Sequence, residues 1–301
     1  MSEAPFRAGF AAIIGRANVG KSTLLNRLVG GKVSIVSPVP QTTRHRVVGV
    51  CTLPQAQVAF IDSPGFHRPQ HQLGELLLER ARQVAGEADL VLVVIDAASG
   101  VGPGDEFVLQ MLDPGREKRP CILVPNKIDT MNKGKLLPLI ERAVADWKFH
   151  AVVPVSALTG ENCDELMKTV LEVLPEGPPL FPPEFVSDQP ERKIVAEIVR
   201  EKLLERLRQE VPHAVAVLIE RMERREDGLV EIDALIVVER PSQKGIVIGA
   251  KGHMLKEVGT AARRELEERL GGQVFLKLWV KVREHWRDRD AILRELDLFS
   301  S

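Results

Sequence analysis

Gly15-Arg16-Ala17-Asn18-Val19-Gly20-Lys21-Ser22 is the stretch of this chain that decides its fold. It has the form G-x-x-x-x-G-K-[ST]. In such a loop glycines let backbone N–H groups turn toward phosphate oxygens, the lysine reaches the outer phosphates, and the serine hydroxyl ligates magnesium. An apolar run at residues 10–14 precedes it as a strand would, and residues 23–28 follow as the start of a helix. This context predicts a phosphate-binding loop; a glycine-rich turn is the alternative.

Two further motifs follow apolar runs that are typical of strands, so we expect them at the same edge of a sheet. Asp62-Ser63-Pro64-Gly65 follows residues 58–61, and Asn126-Lys127-Ile128-Asp129 follows residues 121–124. We expect Asp62 to hold magnesium, directly or through water, and the Gly65 N–H to meet the terminal phosphate. A turn aspartate before a proline is the alternative for Asp62.

The Asn126–Asp129 motif also predicts the base. A carboxylate at Asp129 matches the N1–H and amino group of guanine, whereas adenine would leave it unpaired. Such a site can prefer guanine over adenine by a factor of about 10⁴ or more. The Lys127 stem can lie against the base. Ser156-Ala157-Leu158 follows the strand-like residues 151–155, where the Ala157 N–H could meet the guanine carbonyl. Together the motifs predict a GTP site.

The order of the predicted elements gives the fold class. Strand-like runs at 10–14, 47–52, 58–61, 90–95, 121–124 and 152–155 alternate with helical patterns at 21–28, 74–85, 104–112, 135–146 and 161–174. This alternation predicts an α/β domain whose mainly parallel sheet is covered on both faces. Leu53-Pro54-Gln55 predicts one antiparallel hairpin at the sheet edge, and the polar segment 32–46 is where a switch loop belongs.

Proline marks the domain boundary. Six prolines between residues 175 and 190 predict a semi-rigid linker, so we expect a nucleotide-binding domain over 1–174, a linker over 175–190 and a second domain over 191–301. The second domain has a helical pattern at 191–209, strand patterns at 215–220, 230–238 and 274–282, and a helix at 255–270. This mixture predicts a smaller α+β domain.

The sequence Ile246-Val247-Ile248-Gly249-Ala250-Lys251-Gly252 resembles the G-x-x-G loop of a KH module, in the bacterial form because a third strand follows it. Residues 240–289 carry twelve Lys/Arg against six Asp/Glu, a net of +6, which favours RNA over the alternative of a simple turn. The predicted RNA contacts are Lys244, Ile248, Gly249, Ala250, Lys251 and Gly252.

The face of the third strand opposite its apolar side carries Phe275, Lys277, Trp279, Lys281 and Arg283. These side chains could stack on RNA. Packing of Trp279 against a C-terminal helix is the equal alternative.

The composition, the net charge and the cysteine spacing indicate the general class of protein. Of the 301 residues 44% are hydrophobic and 28% charged, which is typical of a globular protein, and a net charge of −1 implies no whole-molecule attraction to nucleic acid or membrane. The three cysteines lack metal or redox spacing. The sequence starts without an apolar signal region and has no run of the roughly 18 apolar residues that span a bilayer, so we expect a cytoplasmic protein.

These motifs, together with Gln41-Thr42-Thr43-Arg44-His45-Arg46, resemble the Era family of translation-factor-related GTPases across essentially the whole chain. The resemblance implies a P-loop GTPase domain followed by a KH domain, with GTP/GDP and Mg²⁺ as cofactors. It implies binding of small-subunit ribosomal RNA near its 3′ end and assistance to assembly of the small ribosomal subunit. A monomer is expected, and a peripheral membrane-associated fraction is a further hypothesis.

The resemblance also assigns site residues. Lys21, Thr43, Asp62, Gly65 and Asn18 are the expected catalytic group. Ser22, Thr43 and Asp62 are the expected magnesium ligands, with Thr42 as the alternative to Thr43. The expected nucleotide-binding residues are Gly15, Arg16, Ala17, Asn18, Val19, Gly20, Lys21, Ser22, Thr23, Asp62, Ser63, Pro64, Gly65, Asn126, Lys127, Asp129, Ser156, Ala157 and Leu158.

Two features bear on the rate of hydrolysis. Phe66 follows Gly65 where Ras-like proteins place a water-orienting glutamine, so we expect intrinsic hydrolysis either to be slow or to use another group. In related GTPases an asparagine at the position of Asn18 supports a potassium ion that replaces an arginine finger; a purely structural Asn18 is the alternative.

Two rival functions remain. A tRNA-modifying GTPase would carry an additional modification domain, which we do not expect here. An RNA-binding module with an inert nucleotide site would need a broken Lys21 or Asp62, and both residues are intact.

Replacing Asp129 by Asn should shift the preference from guanosine to xanthosine nucleotides, because xanthine carries a carbonyl where guanine has its amino group. Competition binding of GDP and XDP to both proteins measures this shift. Unchanged GDP affinity in Asp129→Asn would remove the base-recognition role.

Overall fold

The computed structural model of the chain describes residues 5–39, 42–65, 72–114 and 119–296. Within them, contacts define two compact units. The first contains residues 5–36, 43–65, 74–114 and 119–188, and the second contains 37–39, 42, 72–73 and 189–296. No helix in the described ranges is long and apolar enough to cross a membrane.

The first unit is built on a six-stranded sheet with the order β2-β3-β1-β4-β5-β6. Its strands are β1 (Arg7–Ile14), β2 (Val47–Leu53), β3 (Ala56–Asp62), β4 (Leu90–Asp96), β5 (Cys121–Asn126) and β6 (Ala151–Val152). All neighbours run parallel except β2 and β3, which form an antiparallel pair. The mainly parallel sheet and the edge hairpin are therefore confirmed.

Helices cover both faces of this sheet. They are α1 (Lys21–Val29), α2 (Gln72–Glu87), α3 (Pro103–Leu112), α4 (Leu136–Ala145) and α5 (Cys163–Val173). Neighbouring residues of one strand enter different cores: Ala11 and Ile13 pack on one side, and Ala12 and Ile14 pack on the other. Because both faces are buried, the strands read as continuous apolar runs rather than as alternating patterns.

The last strand is shorter than the predicted 152–155. The strand β6 ends at Val152, yet the Val153 and Val155 amides still donate to Leu123 O and Pro125 O at 2.9 and 2.8 Å. The regular ladder stops because Pro125 of β5 has no N–H to donate back to the Val153 carbonyl, while the chain continues beside β5.

The second unit packs helices on a three-stranded sheet, with β7 antiparallel and β9 parallel to the central strand β8. Its elements are α6 (Glu191–Leu204), β7 (Ala216–Arg224), β8 (Val230–Val238), α7 (Pro241–Ile248), α8 (His253–Leu270), β9 (Val274–Val282) and α9 (Asp290–Glu295). This order confirms the α+β KH domain. The helix α6 ends before the predicted Gln209, because Arg206 N bonds to Leu203 O three residues back and Gln209 adopts a left-handed φ of 58°.

Residues 175–188, here called the proline strap, belong to the first unit and pack along the rest of it. Ala8 N donates to Pro175 O at 3.1 Å, and Val50 N donates to Val186 O at 2.9 Å. The Val48 amide donates to the Asp188 carboxylate at 3.0 Å. The strap thereby pairs with the open edge of β2, which would otherwise expose unpaired backbone groups.

The fully buried side chain of Gln57 holds the middle of the strap. Its Oε1 accepts the Leu180 and Phe181 amides at 2.7 and 2.8 Å, and its Nε2 donates to Phe181 O at 3.0 Å. Phe181 stacks on Phe185 with ring centroids 4.7 Å apart, so polar and aromatic contacts fix the same turn.

We expect Gln57→Leu to destabilise the first unit by about 1–3 kcal/mol, since two amides lose their acceptor in a buried setting. Urea unfolding measures the loss, and limited proteolysis should show faster cleavage within the strap. Gln83→Leu is the matched control, because Gln83 is exposed and its bond to Glu87 is local; its effect should stay within about 0.5 kcal/mol. Equal losses for the two variants would contradict the anchoring role.

Candidate functional site

The carboxyl ends of β1, β3 and β5 bring the predicted motifs of the first unit together. Lys21 begins α1 directly after the glycine-rich loop and is 6% exposed. Its ammonium donates to Arg16 O at 2.9 Å. Burial lowers the pKa of Lys21 to about 8, although the charge of Asp62 opposes this shift. The side chain lies at a helix N-terminus that favours anions.

Three hydroxyls converge on the buried carboxylate of Asp62. Ser22 Oγ donates to Asp62 Oδ2 at 2.6 Å, Ser34 Oγ donates at 3.2 Å and Thr43 Oγ1 donates at 3.3 Å. Ser22 Oγ and Thr43 Oγ1 also lie 2.9 Å apart. The alternative residue Thr42 instead donates its hydroxyl to Val39 O at 2.6 Å.

The Asp62 group fits a magnesium ion. Its second oxygen, Oδ1, is buried and has no hydrogen-bond partner among the described residues. Burial raises the pKa of Asp62, and the nearby Lys21 and hydroxyls oppose that rise. A hard divalent cation takes carboxylate and hydroxyl oxygens, so it would supply the partner that Oδ1 lacks.

Asn126 joins two loops of the site. Its Nδ2 donates to Val19 O in the phosphate-binding loop at 2.8 Å, and its Oδ1 accepts the Ala157 amide at 2.9 Å. The Ala157 N–H that was expected to meet the guanine carbonyl is thus held by Asn126 in this structure. Arg27 on α1 supports the same loop by donating to Leu158 O at 2.6 Å.

Lys127 and Asp129 lie in the turn after β5. Lys127 has a left-handed φ of 67°, and its ammonium donates to Asn18 O at 2.6 Å and to Asp96 Oδ2 at 2.8 Å. Burial would raise the pKa of Asp96, but the hydrogen bond and charge of Lys127 outweigh it and hold that pKa below its usual value. The carboxylate of Asp129 is exposed, and so is Asn18.

The remaining predicted residues shape the loops. The backbone of Gly65 approaches the phosphate-binding loop so closely that a Cβ there would lie 2.8 Å from Ala17 Cα. Ser63 Oγ donates to Ile13 O at 3.0 Å, and Ser156 Oγ accepts the Thr159 amide at 3.1 Å. Gly15 and Pro64 are buried, whereas Gly20 and Thr23 are half-buried.

Sequence reasoning missed several groups that touch these motifs. Arg16 donates through Nε to both oxygens of Asp105 on α3, at 3.1 and 3.0 Å, although Asp105 is 2% exposed. Asp96 ends β4 at the same sheet edge as Asp62, so the rule that selected Asp62 also applies to it. Ser34, in a polar loop, carries no comparable signal. Phe66 and Gln41 lie outside the described residues.

The G-x-x-G loop joins α7 to α8 in the second unit. Gly249 has φ 73° and ψ 174°, a region essentially restricted to glycine, and a Cβ there would lie 2.6 Å from Met254 Cβ. Gly252 has φ 79° and ψ 10° with open space around it. Ala250 and Lys251 are exposed, and Lys244 and Ile248 on α7 are half-buried.

A groove of about 490 Å³ begins at Gly252 and runs between α8 and β9. Leu255, Leu276 and Leu278 give it an apolar wall, and Lys256 and Arg263 add positive charge. Among the described residues that line this groove, Gly252 is the one that belongs to the predicted RNA contacts. Flat apolar walls beside cations suit unpaired bases joined by phosphates.

Trp279 lies outside this lining. Its Nε1 donates to Glu220 Oε2 on β7 at 3.0 Å, and the residue is 40% exposed. The buried tryptophan is Trp286, whose Nε1 donates to Ala214 O at 2.9 Å. Lys277 sits 5.2 Å from the centre of the Phe275 ring, so this face of β9 is partly self-paired.

The fold and both sites define a P-loop GTPase that carries a C-terminal KH domain. A family model described as "50S ribosome-binding GTPase" matches residues 10–127, and a KH domain model matches residues 210–287. GTPase Era of Lacticaseibacillus paracasei is 47% identical over 289 residues, which is 96% of each chain. GTPase Era of Alkaliphilus metalliredigens is 46% identical over 292 residues, 97% of this chain and 98% of that protein.

Solved structures agree with these relatives. The chain has a TM-score of 0.92 and 44% identity to Era in complex with MgGDPNP and nucleotides 1506–1542 of 16S ribosomal RNA, with 97% of this chain and 99% of that chain covered. The same values hold for a tyrosine-to-alanine variant of Aquifex aeolicus Era bound to GDP and AlF4⁻. This chain belongs to the Era family of GTPases.

Proposed function

We propose that this protein binds GTP and GDP with Mg²⁺ at the site of the first unit, hydrolyses GTP there, and binds small-subunit ribosomal RNA near its 3′ end through the second unit. In this way it would assist assembly of the small ribosomal subunit. The observation that carries the proposal is the match, over 97% of the chain, to an Era structure that holds both MgGDPNP and a 16S ribosomal RNA segment.

Each residue of the first site has a distinct role in the proposal. Lys21 would exchange the Arg16 carbonyl for a phosphate oxygen, and its charge would neutralise the phosphates. Ser22, Thr43 and Asp62 would hold Mg²⁺, whose chemistry when bound is to offset charge on the transferred phosphoryl group. The engaged hydroxyl of Thr42 favours Thr43 as the ligand. The backbone of Gly65 would place its N–H at the terminal phosphate.

Base selection is assigned to the loops after β5 and β6. The exposed Asp129 carboxylate would accept the guanine N1–H and amino group, and the Lys127 stem would cover the base. Asn126 would act by holding the Ser156–Leu158 loop against the phosphate-binding loop, since both of its polar atoms are already bonded to the chain.

The second site is proposed to take single-stranded RNA. The open backbone at Gly252 would admit the sugar-phosphate chain, and the groove beyond it would receive bases. Lys244, Ile248, Gly249, Ala250 and Lys251 would form its entrance. Such contacts are salt-dependent because lysine and arginine release counterions from phosphates.

The proposal also concerns the localisation of the protein, its oligomeric state and its rate of hydrolysis. A cytoplasmic monomer is proposed, and a peripheral membrane-associated fraction stays a hypothesis of the same kind. Slow intrinsic hydrolysis is also proposed, on the ground of Phe66.

We also propose that a potassium ion at Asn18 supports hydrolysis. The residue is exposed and has a left-handed φ of 64° within the phosphate-binding loop. GTP turnover should then be faster in potassium than in sodium at equal ionic strength, and Asn18→Ala should abolish the difference. Equal turnover of the natural protein in both salts would return Asn18 to a structural role.

Gly252→Asp should weaken binding of an RNA with the sequence of the 16S 3′ end by at least about tenfold. The change adds a carboxylate beside the phosphates at a position where the fold has room for a side chain, and aspartate tolerates left-handed backbone. This single change is cleaner than one at Gly249, where a Cβ would strike Met254.

Gly228→Asp is the matched control, because Gly228 lies in the same unit with φ 85° and open space, but in the β7–β8 turn. Filter retention of labelled RNA and titration with fluorescent GDP measure both activities. RNA binding that survives in a folded Gly252→Asp protein, or is lost equally in the control, would falsify the RNA site; GDP affinity should not change in either variant.

A further inference from the structure

Lys127 is held at the tip of its side chain by two oxygens from different segments. Its ammonium donates to the carbonyl of Asn18 at 2.6 Å and to Oδ2 of Asp96 at 2.8 Å. The left-handed backbone of Lys127 fixes the other end of the side chain. The aliphatic stem is therefore stretched between the turn after β5 and the phosphate-binding loop.

Asp96 is itself oriented before it meets the lysine. It ends β4, and its Oδ1 accepts the Ala98 and Ser99 amides at 3.0 and 3.3 Å. These two bonds leave Oδ2 for Lys127. The Asp96 side chain is 14% exposed and the Lys127 side chain is 35% exposed, so the ion pair is partly shielded from water.

We propose that Asp96 is a positioning residue for guanine-nucleotide binding, which it assists by holding the Lys127 stem in place as a platform for the base. The inference rests on the proposed nucleotide site and extends it to a residue outside the P-loop and base-recognition motifs. A free lysine stem samples many rotamers and would lose that freedom when the base binds, whereas the pinned stem has lost it already.

Such preorganisation affects binding rather than chemistry. Lys127 lies at the base end of the proposed site, and the phosphates are assigned to Lys21 and to the Asp62 group. Loosening the stem should therefore raise the KM for GTP and speed release of GDP, with little change in kcat.

The test is a double-mutant cycle with Asp96→Asn and Lys127→Met in the full-length protein. Asparagine keeps an acceptor for the Ala98 and Ser99 amides but loses the charge. Methionine keeps most of the stem and loses the ammonium. We expect Asp96→Asn to weaken GDP affinity by about three- to tenfold, mainly through faster release, and to leave kcat within about twofold. In the Lys127→Met background the same change should have no effect beyond about twofold.

Asp89→Asn is the control, since Asp89 lies just before β4, at the opposite end of that strand, and accepts the Phe10 amide at 2.7 Å. It should bind GDP as the natural protein does. If Asp96→Asn lacks a cooperative melting transition, Asp96→Ser takes its place in the cycle. Equal affinity of the natural protein and the variant, or losses that multiply in the double variant, would overturn the proposal. A natural protein that fails to bind GDP would overturn the nucleotide site itself.

Discussion

The side-chain amide of Asn126 is the contact on which the nucleotide site depends. It is 1% exposed, and it bonds the Val19 carbonyl on one side and the Ala157 amide on the other. A Cβ at Gly20 would lie 2.3 Å from its Nδ2, so the second glycine of the phosphate-binding loop makes room for it. Loss of either bond would leave a buried polar group unpaired, which costs more than the bond itself contributes.

Near this contact the site contains two buried charged groups, Lys21 and Asp62, whose charges the folded chain alone does not fully compensate. Burial lowers the pKa of Lys21 and raises that of Asp62, so both charged forms are disfavoured where they stand. Phosphates and a divalent cation would reverse both effects. Ligand binding should therefore stabilise the first unit by mass action, because the folded chain binds the ligand and the unfolded chain does not.

The second unit has a different requirement, because RNA must approach the backbone of the G-x-x-G loop rather than enter a deep pocket. Gly249 is required by its own packing against Met254, whereas Gly252 keeps the surface open at the end of the groove. Glycine is thus needed at the two positions of one motif for different physical reasons. A folded KH loop needs the first, and access to the groove needs the second.

Several results could be read from the sequence because they depend on local pattern. The apolar runs and glycine-rich loops predicted the parallel sheet, the edge hairpin and the three-stranded second domain, and they identified Asp62 and Asn126 as sheet-edge residues. They did not show that Asn126 bonds to the chain on both sides.

The sequence also did not show which distant residues pair with each other. Nothing local links Gln57 to Phe181, Arg16 to Asp105 or Asp96 to Lys127, because each pair joins segments that are far apart in the sequence and meet only in the folded chain. Local sequence thus determined the elements and the chemistry of each loop, whereas only the tertiary structure decided which charges and amides pair, because pairing depends on distances that folding sets between segments far apart in the chain.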